Sequence, residues 1–402
     1  MREMKDSGIE WIGEIPQEWI YCKLKNVVKI SSGEAISKEE YTDTGYEIIG
    51  ANGVIGYCDK FNNTNQVITT GRVGTIGTTH IYEKSWITDN VLIIETKDII
   101  NIDYLCNVIP NFDFKQMTSG TAMPLITATK LSNIYIPMPP FEEQVRIAAH
   151  LDIECAKIDD VITKTKTTIE EYKKLKQSVI TEAVTKGIRP NREMKGSGIE
   201  WIGEIPREWD TINPKALFSQ RKEKAREGQR QLTASQQYGV IYQDEYMELT
   251  GAKVVTVEKD FDILKQVEVG DFVISMRSFQ GGLEYSEKSG SISSAYVMLM
   301  PNLESVIPRY YKWVLKSSVY IKALQSTSNM VRDGQAMRYS NFAQIRLLNV
   351  PLCEQQEIAD YLDKKCSEID TLIAKKEQIA AELESYKKSL IYEYVTGKKE
   401  VI

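Results

Sequence analysis

Two long stretches of the chain carry apolar residues at the spacing of a coiled-coil helix. Residues 141–186 contain neither Pro nor Gly, and two prolines before them and Gly187 after them are typical helix boundaries. The residues after Pro351 follow the same pattern. Apolar side chains at positions a and d of a heptad predict a packed seam on each helix. The predicted seams are Ile147, Leu151, Ile158, Val161, Tyr172, Leu175 and Val179 in the first helix, and Ile358, Leu362, Ile369, Leu372, Ile379, Leu383, Tyr386 and Leu390 in the second.

Both predicted helices are longer than a globular domain needs for its own core. At about 1.5 Å per residue, a helix of this kind is a rod of roughly 65 Å, so each rod needs a partner. The most economical partner is the other rod, and antiparallel packing would hold two domains apart about a pseudo-twofold axis, as suits two half-sites on DNA. The alternative is a pair of ordinary dimerisation zippers.

The chain consists of two copies of one unit. Residues 2–19 read REMKDSGIEWIGEIPQEW, and residues 192–209 repeat them with two differences. The helix starts also match, since residues 140–144 read PFEEQ and residues 351–355 read PLCEQ. The first pair of segments lies 190 positions apart and the second pair 211, so the region between them is 21 residues longer in the second copy. The two copies are therefore similar at their starts and in their helices, and they diverge in the region between.

Weaker matches through the middles indicate a shared fold. Val67–Arg72 resembles Phe272–Arg277, and in each copy a glycine, Gly77 or Gly282, lies five residues after the arginine. We therefore expect an α/β (α+β) chain with two globular domains that share a fold but not their surfaces, each followed by a long helix of an antiparallel coiled coil. The expected boundaries are 1–140 for the first domain, 141–190 for the first helix and linker, 191–351 for the second domain, and 352–402 for the second helix.

Composition narrows the class of protein. With 42% hydrophobic residues and no apolar run near 20 residues, the chain is expected to be soluble, and its start does not resemble a signal peptide. Six cysteines form no C-x-x-C pair and only two histidines are present, so neither a zinc site nor a disulfide framework is predicted, and reduced thiols fit the cytoplasm. Because the net charge is -6, any DNA-binding surface must be a local patch.

The repeated motifs resemble one known family, the specificity (S) subunits of type I restriction-modification enzymes. The resemblance spans the chain. It is carried by the I-E-W-I-G-E-I-P-x-x-W starts at residues 9–19 and 199–209, by the P-x-x-E-Q helix starts, and by the S-x-I-x-E-x-V-T closures at residues 178–185 and 389–396.

This resemblance implies a DNA-recognition subunit without a catalytic centre. Residues 1–140 and 191–351 would be target-recognition domains, each reading one half of a bipartite sequence, while the helices hold them apart and bind two methyltransferase subunits. In such a complex, S-adenosylmethionine is used by the modification subunits, and ATP with magnesium by the restriction subunits. This chain would hold no cofactor and no metal, and would direct adenine methylation and restriction by its partners.

The residues themselves agree with a noncatalytic role. No G-x-x-x-x-G-K-[ST] phosphate loop occurs, nor an acidic-Pro-Pro-aromatic signature of amino-methyltransferases. Asp89 with Glu95 and Lys97 imitates a nuclease metal site, but the second copy has Ser294, Met300 and Asn302 there, so surface charges at a strand end are the favoured interpretation. A rival of another class is a coiled-coil adaptor with two protein-binding domains.

Two loops in each copy offer the side chains that read DNA bases or bind phosphates. Copy one has a Gly-rich turn at residues 69–79 and a second loop at 118–123, and copy two has their counterparts. The alternatives are a plain hairpin turn and a solvated turn beside buried methionines. The candidates are Thr70, Arg72, Thr75, Thr78, Thr79 and Thr121 in copy one, and Arg277, Ser278, Phe279, Gln280, Arg332, Gln335 and Arg338 in copy two.

Other conspicuous residues are assigned structural roles. The charged run at residues 221–226 is expected to be an exposed segment, with phosphate contact as the alternative. Trp11, Trp19, Trp201 and Trp209 recur in both copies, whereas base-stacking residues should differ if the two half-sites differ. We therefore predict that these tryptophans are packing or subunit-docking residues.

Overall fold

A computed structural model describes residues 2–73, 76–114, 125–235, 237–257, 263–274, 283–327 and 339–401. The chain divides into two compact units. Unit 1 comprises Met1–Lys166 and Glu377–Ile402, and unit 2 comprises Thr167–Lys376. Each unit therefore contains one globular region, the first part of one long helix and the last part of the other. The sequential domain boundaries expected above do not express this exchange of helix ends.

The two long helices begin immediately after the prolines that were expected to start them. Helix α3 spans Phe141–Lys186 and helix α9 spans Leu352–Val395, both without interruption. The shorter helices are α1 Ile102–Val108, α2 Ala128–Ser132, α4 Pro214–Leu217, α5 Gln243–Thr250, α6 Pro308–Lys316, α7 Ser318–Ser326 and α8 Tyr339–Phe342. Short 3-10 helices occupy Leu24–Asn26, Lys38–Glu40 and Ile109–Asn111. Within the described ranges, no helix is long and apolar enough to cross a membrane.

Unit 1 is organised around a four-stranded antiparallel sheet with the strand order β4-β10-β7-β8. Three smaller sheets accompany it, formed by β1 with β2, by β3 with β11, and by β5 with β6 and β9. The strands are β1 Met4–Asp6, β2 Glu14–Pro16, β3 Ile20–Lys23, β4 Val28–Ser32, β5 Tyr46–Gly50, β6 Gly53–Cys58, β7 Val67–Gly71, β8 Thr79–Tyr82, β9 Trp86–Ile87, β10 Val91–Thr96 and β11 Tyr135–Met138.

Unit 2 repeats this plan with the strand order β15-β22-β19-β20. The pairs β12 with β13 and β14 with β23 repeat the first two small sheets, while β16 pairs with β17 and β18 with β21. The expectation of one fold in both copies is confirmed. The strands are β12 Met194–Gly196, β13 Glu204–Pro206, β14 Asp210–Ile212, β15 Phe218–Arg221, β16 Leu232–Ser235, β17 Gly239–Tyr242, β18 Lys265–Val267, β19 Phe272–Ile274, β20 Leu283–Tyr285, β21 Gly290–Ile292, β22 Val297–Pro301 and β23 Leu347–Asn349.

The core of each unit joins the central sheet to a short helix and to a long-helix end. In unit 1, the hydroxyl of fully buried Tyr104 on α1 donates to the carbonyl oxygens of Pro137 and Val395, both at 3.1 Å. In unit 2, Tyr310 on α6 likewise donates to the carbonyl oxygen of Val184 at 3.4 Å. A buried hydroxyl thus satisfies a carbonyl in the last turn of a long helix, where no intrahelical donor remains.

Within each unit, the two long-helix segments run antiparallel. In unit 1, Asp159 pairs with Lys387 at 2.6 Å and Lys166 pairs with Glu384 at 3.0 Å. In unit 2, Lys176 pairs with Asp370 at 2.6 Å, the repeat of the Asp159 pair with the roles of the two helices exchanged. The predicted packing of the two long helices is therefore confirmed.

The buried seam departs from its prediction at five positions. Ile147, Leu151, Ile158, Ile358, Leu362, Ile369 and Leu390 are buried, and Tyr172, Val179 and Leu383 are half-buried. The positions buried instead include Ile162, Thr165, Ile169, Cys366 and Ala380. The buried positions still alternate in steps of three and four residues, but every second one lies one residue C-terminal to its predicted place, as at Ile162 instead of Val161 and Ala380 instead of Ile379. The Thr165 hydroxyl in this seam is satisfied by the carbonyl oxygen of Val161 at 2.8 Å. The residues wrongly placed in the seam are Val161, Leu175, Leu372, Ile379 and Tyr386, all exposed.

One buried carboxyl in unit 2 makes a testable contribution to pH-dependent stability. Burial raises the pKa of Glu284 on β20, although Lys316 opposes the shift with an ion pair to Oε2. Oε1 is buried without a hydrogen-bond partner. A raised pKa in the folded state means that this group favours folding at acid pH and that the benefit is lost as pH rises through the raised pKa.

We therefore expect Glu284→Gln to increase the free energy of unfolding by about 1 kcal/mol at pH 7 and by much less near pH 4. Denaturant unfolding at the two pH values measures this difference. Glu287→Gln is the matched control, because that exposed carboxylate also lies beside a lysine of α6, Lys312, at 3.6 Å. An equal effect of both substitutions would contradict the assignment to burial.

Candidate nucleic-acid interface and helix junctions

The predicted Gly-rich turn of copy one lies at one end of the central sheet of unit 1. Strand β7 ends there at Gly71 and β8 begins there at Thr79, while β10 starts beside them at Val91. Because neighbouring antiparallel strands pair at these residues, the turns that precede β8 and β10 share one edge of the sheet. The structure therefore brings Arg72 next to Asn90, in the turn before β10.

Arg72 is held by its backbone, and the Nε atom of its side chain is buried. Its N–H donates to the carbonyl oxygen of Asn90 at 2.9 Å, and its carbonyl accepts from the N–H of Ile126 at 3.0 Å. The side chain is half-buried, and its Nε lacks a hydrogen-bond partner among the described residues. A fixed backbone with an unsatisfied guanidinium nitrogen is a suitable arrangement for binding an anion or a base edge.

The threonines of the same turn divide into structural and exposed positions. Thr70 is buried and its hydroxyl accepts from the N–H of Gly77 at 3.1 Å, while the Thr79 hydroxyl donates to the carbonyl oxygen of Cys106 at 2.8 Å. These two hydroxyls maintain the turn, and their contact with DNA stays a prediction. Thr78 is exposed and stays a candidate.

Gly77 is required by the same turn. Its φ of 89° lies in the left-handed region, and a Cβ placed there would approach Cε2 of Phe114 at 2.5 Å. Both the backbone and the neighbouring ring therefore exclude a larger residue. Among the described residues of this turn, Arg72 and Thr78 are the candidates that no intramolecular side-chain hydrogen bond engages.

The other predicted DNA contacts lie outside the described residues. They are Thr75 and Thr121 in copy one, and Arg277, Ser278, Phe279, Gln280, Arg332, Gln335 and Arg338 in copy two. Sequence reasoning missed Asp89 and Asn90 as neighbours of Arg72. The signal available was a pair of exposed polar turn residues immediately before the apolar run of β10.

The charged run of unit 2 combines one structural arginine with exposed charges. Arg221 makes a bidentate pair with buried Asp271, with Nε–Oδ2 at 2.7 Å and a terminal nitrogen to Oδ1 at 3.0 Å. This hydrogen bonding raises the pKa of Arg221. Arg221 is therefore a fold-stabilising residue, while the lysines of the run are exposed as expected.

The nuclease-like residues do not form a site. Asp89 precedes β10 and Glu95 lies near its other end, roughly 20 Å away at about 3.4 Å per residue. Glu95 pairs with Lys29 at 3.4 Å, and Lys97 donates to the carbonyl oxygen of Asn26 at 2.8 Å. The preference for ordinary strand-end charges is supported by these contacts.

A buried glutamate at the start of each long helix organises the repeated segments. In unit 1, Glu143 accepts from the guanidinium of Arg2 at 2.5 and 3.0 Å and from Nε1 of fully buried Trp19 at 3.0 Å. The Arg2 guanidinium also lies 5.8 Å from the centre of the Trp19 ring. Hydrogen bonding to Glu143 raises the pKa of Arg2.

Unit 2 repeats this junction residue for residue. Glu354 accepts from Arg192 at 2.6 and 3.1 Å and from Nε1 of Trp209 at 3.3 Å. The guanidinium of Arg192 lies 5.5 Å from the Trp209 ring. The packing role, one of the two roles predicted for the repeated tryptophans, is confirmed for Trp19 and Trp209, and the glutamate of the P-x-x-E-Q motif is identified as their partner.

The glutamine of the same motif completes the helix start. Oε1 of Gln144 accepts from the N–H of Asn101 at 2.8 Å, and its Nε2 donates to the carbonyl oxygen of Pro139 at 2.9 Å. Oε1 of Gln355 accepts from the N–H of Ile307 at 2.8 Å in the same way. The amide thus joins the long helix to the N-terminal end of the short core helix in each unit.

The repeated start segment also contacts the end of the other long helix. In unit 1, Lys398 donates to the carbonyl oxygen of Ile12 at 2.8 Å, and a Cβ at Gly397 would lie 2.4 Å from Cδ of Pro16. In unit 2, a Cβ at Gly187 would lie 3.3 Å from the Trp209 ring. One extended segment therefore connects the beginning of one long helix to the end of the other.

We expect Glu143→Ala to lower the free energy of unfolding of unit 1 by about 3 kcal/mol, because it leaves a buried indole N–H without its acceptor and leaves a partly buried guanidinium with only the exposed Glu18 as its partner. Denaturant unfolding followed by tryptophan fluorescence measures the loss. Glu142→Ala is the matched control, since the neighbouring carboxylate is exposed. Similar stability of the two variants would contradict a structural role for the Glu143 junction.

Comparison with known proteins gives one consistent similarity. The description of the family whose model matches residues 16–177 is "Type I restriction modification DNA specificity domain". A putative type I restriction enzyme specificity subunit of Methanocaldococcus jannaschii is 25% identical over 97% of this chain and 96% of its own length. A second specificity subunit from that organism is 24% identical over 50% of each chain.

The fold agrees with this similarity. A solved chain from work on complex assembly and conformational transition of the type I R-M system has 15% identity and a TM-score of 0.69, covering 96% of this chain and 99% of that chain. At this identity the likeness establishes the fold alone. The resemblance of this chain to the specificity subunits of type I restriction-modification enzymes is confirmed, and residues 16–177 are similar to the DNA specificity domain of that family.

Proposed function

We propose that the chain is the sequence-specific DNA-recognition subunit of a type I restriction-modification complex. Each globular region would read one half of a bipartite target and direct adenine methylation and restriction by partner subunits. The observation that carries this proposal is the duplicated fold. The Glu143 and Glu354 junctions are the same in both units, whereas the turns at the sheet ends differ in sequence.

The partner subunits would supply the chemistry. Two modification subunits would bind S-adenosylmethionine, and restriction subunits would use ATP and magnesium. The buried carboxylates Glu143, Glu354 and Asp271 are engaged by arginines in ion pairs, which supports a structural use of acidic residues in this chain. The six cysteines are free, as expected of a protein that acts on DNA in the cytoplasm.

A coiled-coil adaptor is the second candidate, and one observation favours it. Val161 and Leu372 are repeat counterparts, as are Leu175 and Tyr386, and all four are exposed apolar residues. Exposed apolar residues on helices are typical of protein-binding surfaces. Such a surface also suits a recognition subunit that binds two copies of one partner, so DNA recognition has to be tested directly.

Methylome sequencing tests the proposed function. Expression of the chain with its methyltransferase subunit should mark a single bipartite motif. Replacement of residues 20–138 with the corresponding region of another specificity subunit should change one half of that motif, because each half is read by one unit. A change in both halves would contradict the two-reader proposal, and the absence of any sequence-specific mark would favour the adaptor.

Arg72→Ala is expected to weaken binding of the target DNA by roughly 10-fold, since one guanidinium contact contributes about 1–3 kcal/mol. Titration of labelled duplexes at several salt concentrations separates two roles. A phosphate contact reduces the salt dependence by about one counterion, and a base contact relaxes specificity at one position. Lys97→Ala is the control at the far end of β10, and equal affinities of wild type and Arg72→Ala would exclude the proposed contact.

A further inference from the structure

Unit 1 contains a cavity of about 460 Å³ between α1 and the first turns of α3. Its floor includes fully buried Leu151 and nearly buried Ala148, and Val145 stands at its rim with 42% of its surface exposed. The cavity is therefore an open, partly apolar recess beside the Glu143 junction. Its polar lining includes Asp103, Asn107 and Asp152.

The two carboxylates of this cavity have no cationic partner. Asp103 and Asp152 are exposed, and neither forms an ion pair within the described part of the chain. Asn107 does not compensate them, since its Nδ2 donates to the backbone carbonyl oxygen of Asp103 at 2.9 Å. Two negative charges thus face a recess whose floor is apolar. This combination favours a ligand with a cationic head and an apolar stem or ring.

The second copy shows what occupies the corresponding place there. Helix α6 is the counterpart of α1, because Tyr104 and Tyr310 make the same hydrogen bond to a long-helix end. This correspondence aligns Asp103 with Arg309 and Asn107 with Trp313. On the long helices, Asp152 and Asp363 are repeat counterparts at the spacing of the helix starts.

In unit 2, the chain fills this place with its own side chains. Nε of Arg309 donates to Oδ2 of Asp363 at 3.1 Å, and a second guanidinium nitrogen lies 2.9 Å from Oδ1 of Asp360. Nε1 of Trp313 donates to Oδ1 of Asp363 at 2.8 Å. An arginine and an indole from the short helix therefore cover the first turns of the long helix. In unit 1 the position of Arg309 is occupied by the acidic residue Asp103.

We propose that the unit 1 cavity is a docking site for a partner protein that inserts an arginine next to an aromatic side chain. The arginine would bind Asp152 and Asp103, and the aromatic ring would lie on Ala148 and Val145. Charge complementarity and the occupied counterpart in unit 2 both specify this chemistry. Because the site is open in one unit and filled in the other, this contact would be made on unit 1 alone.

The partner is the modification subunit, an identification that rests on the proposed function. A guanidinium suits the site better than an ammonium, because its planar fork can bind a carboxylate through two hydrogen bonds, as Arg309 binds Asp363. The contact would make the two modification subunits of the complex inequivalent, with one held more tightly than the other. Apart from this contact, the two units would present similar helix junctions to the two modification subunits.

The test measures binding of the purified methyltransferase subunit to the full chain by titration calorimetry. Asp152→Asn should weaken the tighter of the two binding steps roughly 10-fold or more, because it removes the charge that pairs with the inserted arginine. Asp363→Asn is the matched control in unit 2. It should leave subunit affinity unchanged and lower the thermal stability of unit 2, because Arg309 loses a negatively charged partner and one of the two acceptor oxygens shared with Trp313 is replaced by an amide nitrogen.

A second variant fills the cavity with the residues of the other copy. In the double variant Asp103→Arg/Asn107→Trp, the new arginine should pair with Asp152. We expect this variant to keep or raise the thermal stability and to lose the tighter binding step. Unchanged subunit affinity in both Asp152→Asn and the filled variant would overturn the docking site while leaving the proposed function intact. A wild-type chain that binds no methyltransferase subunit would overturn the proposed function and this inference together.

Discussion

A buried carboxylate at the start of each long helix is the interaction on which the rest of each unit depends. Glu143 and Glu354 each bind one arginine and one indole N–H of the repeated start segment. A buried charge is stable only when it is paired and hydrogen-bonded, so the start segment must stay in place for the helix to begin there. The same segment contacts the end of the other long helix, so a single junction fixes three parts of the chain.

The parts of each unit that meet at this junction are the same in both copies, whereas the surfaces away from it differ. The common parts are the start segments, the long helices and the central sheets, whose strand orders are the same in both units. The surfaces differ even where the backbone corresponds, as Arg309 and Trp313 cover a helix turn that Asp103 and Asn107 leave open. Because the junction is the same in both units, one unit can leave a surface open for a partner where the other unit covers it with its own side chains.

Only part of the candidate DNA site could be predicted from the sequence. The Gly-rich turn was recognised by composition, and Arg72 lies at the sheet end as a candidate should. Composition could not distinguish Thr70 and Thr79, whose hydroxyls bond backbone groups, from exposed Thr78. A hydroxyl bonds whichever group the fold brings within 3 Å, and this depends on neighbours such as Cys106 that are distant along the chain.

The sequence by itself determined the duplication, the first residues of both long helices and the packing role of Trp19 and Trp209. These features follow from local signals, because prolines stop helices and a repeat requires each copy to adopt the same fold. The end of the second helix differs from its prediction, because α9 ends at Val395 and not at residue 402. Only the tertiary structure decided which helix face is buried. Thr165 and Ala380 lie in the seam while Leu175 and Tyr386 are exposed, since register is set by the whole helix pair and not by the hydrophobicity of one residue. The exchange of helix ends between the two units also depends on contacts between residues far apart in sequence, which no local pattern contains.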